Sequence, residues 1–477
     1  MRTNKALQVT PALRAFIEAN PEYAAIPISE WDTSRVTNMS KWFEGCDQLP
    51  SLAKWDTSNV TDMSFMFADY RGELPDISNW NTGKVETMRG MFQNSDIRKV
   101  QINNWDTRNV RDISMMFRWC LRIRVLYLNS WNTSNVRYME AVFEGCSLLD
   151  CLRIERWDTS KVQNMRALFS CCQSLTSIDL NLWDVKWVTD MSYMFRSCKR
   201  VTEINIDTWK TISLERMDHM MDACEYLERL HWRNIYVREV FDMSCLFNRC
   251  YCLTDIDLSN FRTNKVTSME SMFDQCMSLT RINLSQFRTR KVRDFSRMFA
   301  KCSELTSIDV STFDTREGVL FNEMFLDCEN VEGLDLSNFN TSKATTLCEM
   351  FSGCKRLGFI DVSSFNTKKV TDMSFLFSGC TALISLDLSN FLITRDCVSY
   401  YMCKDCTSLT VFKLPRLGEH AQYGHSFVDN TPALPKKFKN RLLKFMDELD
   451  GYTIAPSEMY GGILYLFEDN VPYINGQ

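Results

Sequence analysis

The chain repeats itself. An anchor residue recurs at Trp31, Trp55, Trp80, Trp105, Trp131, Trp157, Trp183, Trp209, Ile235, Phe261, Phe287, Phe313, Phe339, Phe365 and Phe391. The first intervals are 24, 25 and 25 residues and every later one is 26, so fifteen units follow one another without a break. A period of this length is the signature of a solenoid, in which each unit leaves an apolar face that only its neighbours can cover. That feature overrides the two to four ordinary domains that a chain of 477 residues would otherwise suggest.

With each anchor counted as slot 0, slot 8 is Met in ten units, slot 11 is Met in ten, slot 12 is Phe in thirteen and slot 15 is Cys in thirteen. The unit of Trp55 shows the pattern with Met63, Met66 and Phe67; that of Phe261 shows it with Met269, Met272, Phe273 and Cys276. Spacing of i, i+3, i+4, i+7 describes one face of a helix and predicts a short α-helix in every unit. Thr at slot 6 (Thr61, Thr189, Thr267, Thr371) is placed to cap it, and Asp at slot 7 (Asp62, Asp190, Asp372) suits its positive end. Slots 18, 21 and 23 are apolar, as in Leu305, Ile308 and Val310, which predicts a short strand. The expected fold class is therefore an α/β solenoid of about fifteen coils of 24–26 residues, each a short strand plus a short helix.

The ends depart from the pattern, as solenoid caps do. Thr10-Pro11 fits an N-cap and first helical position, so residues 1–27 are expected to form a helical cap. Residues 28–414 are the repeat region, and 415–477 a second cap. Leu417 stands where a sixteenth anchor would fall, but His425 and Asp429 no longer match the slots. Within this cap, 435–451 reads as helix and 461–469 as strand. Between Pro75 and Pro415 there is no proline, in keeping with stacked coils that leave few N–H groups unpaired.

Two stretches carry a family resemblance: Trp55-Asp56-Thr57-Ser58-Asn59-Val60-Thr61-Asp62-Met63-Ser64, and Phe365-Asn366-Thr367 continuing through Val370-Thr371-Asp372-Met373 to Cys380. The unit resembles the BspA-like leucine-rich repeat family, in the variant abundant in mycoplasma and lactobacillus surface proteins and also found in large DNA viruses and protists. The resemblance spans roughly residues 28–412. It implies a right-handed leucine-rich-repeat-type solenoid, a role in adhesion or protein–protein contact, and no common catalytic residues. The sequence has no apolar signal segment near Met1, no lipobox cysteine and no cell-wall anchor. A cytoplasmic or virion-associated protein is therefore expected over a classically secreted one, with a virion or host-interaction role open. No run of apolar residues is long enough to span a membrane.

The residues that could carry chemistry mostly read as core. Thirteen of the 20 Cys share one apolar slot and are expected to be reduced, buried packing residues. The Met stripe shares that face. Cys403 and Cys406 form a C-x-x-C pair with Cys397, His420 and His425 nearby, but Cys406 is simply slot 15 and no second pair follows, so no zinc is expected. Four His, none beside a nucleophile in a known spacing, leave no catalytic residue to name, and neither enzyme activity nor a cofactor is expected.

Two surface features remain. Slot 22, the polar position inside each strand, holds Asp257, Asp309, Asp335, Asp361 and Asp387; stacked in register these carboxylates would lie about 5 Å apart and form a candidate interaction strip. Turn hydrogen bonds, neighbouring cations or a divalent ion could each relieve their repulsion. Arg262, Arg288, Arg290, Lys291 and Arg293 form a candidate basic edge, with Arg297 beside it and a second group at Arg108, Arg111, Arg118, Arg122 and Arg124. The chain as a whole carries net charge −5, which argues against a dedicated nucleic-acid binder. The expected function is a non-enzymatic protein-interaction or adhesion scaffold. The alternative is a module that binds a glycan, a nucleic acid or another polyanion through the basic edge.

Overall fold

The computed structural model describes residues 9–419, 421, 427–436, 464–466 and 472–474. Helix α1 spans Pro11–Ala19 with Thr10 as its N-cap and Pro11 at its first position. Thr10 Oγ1 accepts the Leu13 N–H at 3.1 Å and donates to the Trp42 carbonyl at 2.8 Å. One face of α1 buries Leu13 and sets Phe16 against Trp31 and Trp42, at ring separations of 5.8 and 4.7 Å. This helix thus covers aromatic core that the first coil alone would leave exposed.

The chain divides into two compact units, residues 1–237 and 238–477. Each is a stack of coils in register. The continuous parallel ladder lies at slot 7, running Asn38–Asp62–Thr87–Asp112–Tyr138–Asn164–Asp190–Arg216 in unit 1. Unit 2 repeats it as Asp242–Ser268–Asp294–Leu320–Thr346–Asp372–Val398. Strands at slots 20–22 form only in places: β1 (Val125–Tyr127) with β2 (Cys151–Arg153), β3 (Glu203–Asn205) with β4 (Arg229–His231), and β5 (Ser385–Asp387) with β7 (Val411–Lys413). All three pairs are parallel and join like slot to like slot. Between β5 and β7 lies β6 (Leu392–Ile393), which pairs with β8 (Arg416–Leu417).

The helix expected in each coil is not there. Slots 10 and 14 are left-handed in all fifteen coils, with φ between +53° and +76°. Five of these positions are glycine (Gly45, Gly90, Gly145, Gly353, Gly379); the others carry side chains as large as Phe65, Trp119 and Tyr193. Left-handed backbone costs a side-chain-bearing residue roughly 1–2 kcal/mol, so a compensating bond network is required. The coil of Trp55 shows it. N–H groups at alternate slots donate across to the next coil: Met63 to Thr87 at 3.1 Å, Phe65 to Arg89 at 2.8 Å, Phe67 to Met91 at 2.8 Å and Asp69 to Gln93 at 2.7 Å. The intervening N–H groups close short turns within the coil, Met66 to Met63, Ala68 to Phe65 and Tyr70 to Phe67. Every donor from slot 8 to slot 15 is thus satisfied, the slot 9 N–H of Ser64 going to Asp62 Oδ1 at 2.8 Å. An α-helix would spend these donors on its own chain and leave the neighbouring coil unbonded.

The residues assigned to that helix are nonetheless the core. Met63, Met66 and Phe67, like Met269, Met272, Phe273 and Cys276, are fully buried. Three-residue turns bring side chains round at intervals of three and four, which imitates helical periodicity. Thr at slot 6 is correspondingly not a helix cap: Thr371 Oγ1 donates to the Thr345 carbonyl of the preceding coil at 3.0 Å, and Thr267 to Phe241 at 3.0 Å. Slot 7 Asp serves a turn rather than a helix end, as Asp62 does.

The stack also continues past the expected decay. Cys403 and Asp405 N–H donate to the Phe427 and Asp429 carbonyls at 2.9 Å each, as Phe377 and Gly379 N–H donate to Met402 and Lys404 one coil earlier, and Asn430 is left-handed. Strands β9 (Leu464–Leu466) and β10 (Pro472–Ile474) pair antiparallel, the first within the segment read as strand. His420, His425 and nearly all of the helix read at 435–451 lie outside the described residues.

Candidate interaction surfaces

The strip residues Asp257, Asp309, Asp335, Asp361 and Asp387 are all exposed and share slot 22 of unit 2, with Asn283 between the first two. Each carboxylate accepts the N–H two residues on: from Ser259 at 3.0 Å, Ser311 at 3.1 Å, Ser337 at 3.0 Å, Ser363 at 2.9 Å and Ser389 at 3.0 Å. These Asx turns bend the chain out of the strand position towards the next anchor. Hydrogen bonds from the Ser337 hydroxyl and N–H hold the Asp335 carboxyl below its ordinary value. Partial burial pushes the Asp387 carboxyl the other way, but hydrogen bonds from Lys413 and Ser389 win and lower it. In-register pairing of β5 and β7 sets Lys413 opposite Asp387, with Nζ 2.8 Å from Oδ2. In unit 1 the same slot holds Tyr127 opposite Arg153 and Asn205 opposite His231.

Arg262, Arg288, Arg290, Lys291 and Arg293 are exposed in the loops that follow Phe261 and Phe287. A threonine sets these loops in register. Thr263 Oγ1 donates to the Arg288 carbonyl at 3.1 Å and accepts the Arg288 N–H at 2.8 Å. The Arg288 guanidinium is tethered to the Ser285 and Phe287 carbonyls at 3.1 and 2.9 Å. Among the described residues no carboxylate lies within ion-pair distance of Arg262, Arg290 or Lys291. Arg297 differs, pairing with Asp274 at 2.9 Å and with Glu323. The second basic group is also neutralised: Arg108 by Asp106, Arg111 by Glu86, Arg118 by Glu144, Arg122 by Asp96 and Arg124 by Asp150.

The buried Thr at slot 2 and the Asp turns at slots 1 and 7 were not foreseen from the sequence, whereas turn bonding at slot 22 was one of the expected uses of its Asp. Thr at slot 2 is buried and joins coil to coil, as Thr33 to Asp56, Thr107 to Asn132, Thr315 to Asn340 and Thr341 to Asn366, at 2.9–3.2 Å. The Asp-x-Ser triplet also occurs at three corners of a coil and makes the same turn each time, as at Asp56–Ser58, Asp62–Ser64 and Asp309–Ser311. The recurrence of Asp-Thr-Ser, Asp-Met-Ser and Asp-Leu-Ser was the available signal.

All 20 Cys are unbridged. The slot 15 thiols donate to the slot 12 carbonyl of the preceding coil: Cys146 to Phe117, Cys302 to Phe273 and Cys354 to Phe325, at 3.1–3.2 Å. Burial raises these thiols, to about 12 for Cys120 and Cys354, so they hold their protons and are poor nucleophiles and metal ligands at neutral pH. Cys406 does the same towards Phe377 at 3.1 Å, while Cys403 is buried beside it. Among the described residues no helix is long and apolar enough to cross a membrane.

Several solved structures resemble the chain at low identity. A leucine-rich cell surface protein from Faecalibacterium prausnitzii is 15% identical with a TM-score of 0.31, over 65% of this chain and 83% of that one. A leucine-rich repeat protein from Eubacterium ventriosum is 15% identical with a TM-score of 0.35, over 79% and 87%. The functional domain of InlJ from Listeria monocytogenes, which includes a cysteine ladder, is 16% identical with a TM-score of 0.20, over 63% and 67%. These scores are low, and the stacked-coil fold rests on the coil geometry itself. No curated protein matches the chain. A family model matches at residues 12–124, 121–232, 225–333 and 301–411. Together these cover most of the sequence, and the chain belongs to the family described as Mycoplasma protein of unknown function, DUF285.

Proposed function

We propose that the chain is a non-enzymatic interaction scaffold that binds a protein partner through the slot 22 face of unit 2. The carrying observation is the acidic strip. Five exposed carboxylates occupy one column of stacked coils, and each uses one oxygen in its own turn. At Asp309, Asp335 and Asp361, in three successive coils, the turn uses Oδ1 and directs the second oxygen, which gives a short row of acceptors spaced by roughly the 4.8 Å interval between parallel strands. Such a row fits an extended basic segment of a protein, with Lys413 closing one end against Asp387. The core slots support the non-enzymatic reading, because Met, Phe and Cys are consumed in packing and the thiols are held protonated.

The test is a calorimetric titration with an extended Lys/Arg-rich peptide. Asp335→Asn with Asp361→Asn removes two charges from the middle of the strip while the amide oxygens keep the turns, as Asn205 and Asn283 already do. Expected is unchanged melting with affinity reduced at least tenfold. Equal affinity in a double variant that folds normally would sink the proposal.

A further inference from the structure

The loop edge of unit 2 is a second surface, separate from the acidic strip. Slots 1–6 of the coils in residues 238–396 hold twelve Lys or Arg against four Asp or Glu. The same slots in the eight coils anchored from Trp31 to Trp209 hold eight against seven. The excess has a local origin. Slot 1 is Asp at five coils of unit 1, Asp32, Asp56, Asp106, Asp158 and Asp184, but in unit 2 only at Asp314, with Arg262, Arg288, Asn340 and Asn366 at its neighbours. The cations also form a column. Arg238, Lys265, Arg290 with Lys291, Arg316, Lys343, Lys368 with Lys369, and Arg395 place at least one in slot 3 or 4 of seven successive coils. All are exposed.

Three of these cations are partly neutralised, Lys265 by Glu239, Arg316 by Asp314 and Lys343 by Glu317. Arg293 also contributes to the field that lowers the Glu317 carboxyl, after Lys343. The clusters at Arg262, Arg290 and Lys291 and at Lys368 and Lys369 have no carboxylate within ion-pair distance among the described residues. They lie three coils apart, about 15 Å at the strand interval. The threonine ladder fixes the intervening loops, with Thr289, Thr315 and Thr341 each bonded to the next coil. Uncharged hydrogen-bonding side chains, Asn264, Ser342 and Asn366, sit between the cations.

We infer that this edge binds a linear anionic polysaccharide laid along the coil axis. One coil advances about 4.8 Å, close to the length of one pyranose ring, so successive cations meet successive sugars, and the amides and hydroxyls between them suit sugar hydroxyls. A single-stranded nucleic acid fits less well. Such strands are held by exposed aromatic rings as well as cations, and Phe241 is the one exposed large aromatic in these slots of unit 2 among the described residues. The net charge of −5 means that the attraction is local to this edge rather than a property of the whole surface.

The experiment uses the full chain and heparin as the probe, with titrations at low and high salt. Binding is expected at low salt and should weaken steeply as salt rises. Arg290→Glu with Lys291→Glu should cut affinity at least tenfold, and Lys368→Glu with Lys369→Glu should cut it severalfold, because the chain spans both clusters. Arg108→Glu with Arg111→Glu in unit 1 should change it less than twofold. Unchanged melting shows that the variants fold. Retention of binding by the Arg290/Lys291 variant overturns the site. Equal or tighter binding of polyglutamate or of a single-stranded oligonucleotide of matched charge overturns the polysaccharide assignment.

Discussion

Unit 1 anchors its coils on Trp and unit 2 on Phe, yet both stacks keep the same interval. Trp pairs from Trp31–Trp55 to Trp157–Trp183 have centroids 6.3–6.4 Å apart, and Phe pairs from Phe261–Phe287 to Phe365–Phe391 have them 6.1–6.4 Å apart. Rings of different size at one spacing show that the backbone ladder sets the rise and the anchors fill what it leaves. The units differ more in how they use Thr. In unit 1, Thr33, Thr57, Thr107 and Thr133 donate to the next coil; Thr211, in the last Trp-anchored coil, and Thr263, Thr289, Thr315 and Thr341 in unit 2 also accept an N–H from it. The comparison separates a shared interior from surfaces free to diverge, with a neutral loop edge in one unit and a basic edge in the other. It is also measurable in one molecule, because all twelve Trp lie in unit 1. Trp fluorescence reports unit 1 alone and circular dichroism reports both.

The largest expected effect tests the shared interior. Burial lifts Cys120 and Cys354 from 9.0 to about 12, and other slot 15 thiols are raised in both units. A thiol whose folded value lies above its unfolded value contributes stability below pH 9 and loses it as pH rises towards the folded value. Each such thiol then removes about 1.4 kcal/mol per pH unit, and several act together. Cooperative unfolding is expected between pH 9 and 12, seen by fluorescence and circular dichroism alike. If fluorescence stayed native through this range while circular dichroism changed, the thiol ladder of unit 1 would not share the role it has in unit 2.

The periodicity, the buried slots and the cysteine ladder were all legible from residue types, because burial depends on which side chains recur and not on the backbone that turns them inward. The backbone was not legible from spacing alone. Met63, Met66, Phe67 and Tyr70 have helical spacing whether a helix or a chain of three-residue turns carries them. The clue lay in glycine: five of 16 occupy slots 10 and 14, Gly45, Gly90, Gly145, Gly353 and Gly379, where a helix would exclude them. The strip and the edge were visible as clusters of charge. Their difference was not, since it depends on carboxylates brought from other coils, Glu144 to Arg118 but none to Arg290.

The threonine ladder gives the next effect in size. Thr315→Val keeps the shape but removes a donor to Asn340 and an acceptor for its N–H, where Thr107→Val removes only the donor to Asn132. A buried polar group left unpaired costs about 1–3 kcal/mol. Urea unfolding followed by circular dichroism should therefore place Thr315→Val about 1–2 kcal/mol below Thr107→Val. Equal losses would mean that the additional bond in unit 2 adds nothing to stability.

The smallest effect bears on the anchors themselves. Trp157 Nε1 donates to the Leu128 carbonyl at 3.0 Å, whereas Trp183 Nε1 is buried without a hydrogen-bond partner. Replacing either by Phe gives unit 1 the anchor of unit 2 and removes the same volume, so the packing loss largely cancels between them. What remains is the indole bond, worth about 0.5–1.5 kcal/mol, together with relief of an unpaired donor at Trp183. Trp183→Phe should therefore be less destabilising than Trp157→Phe by about 1–2 kcal/mol in urea unfolding read by the remaining Trp. The reverse order would show that the indole hydrogen bond is not what separates these two anchors in stability.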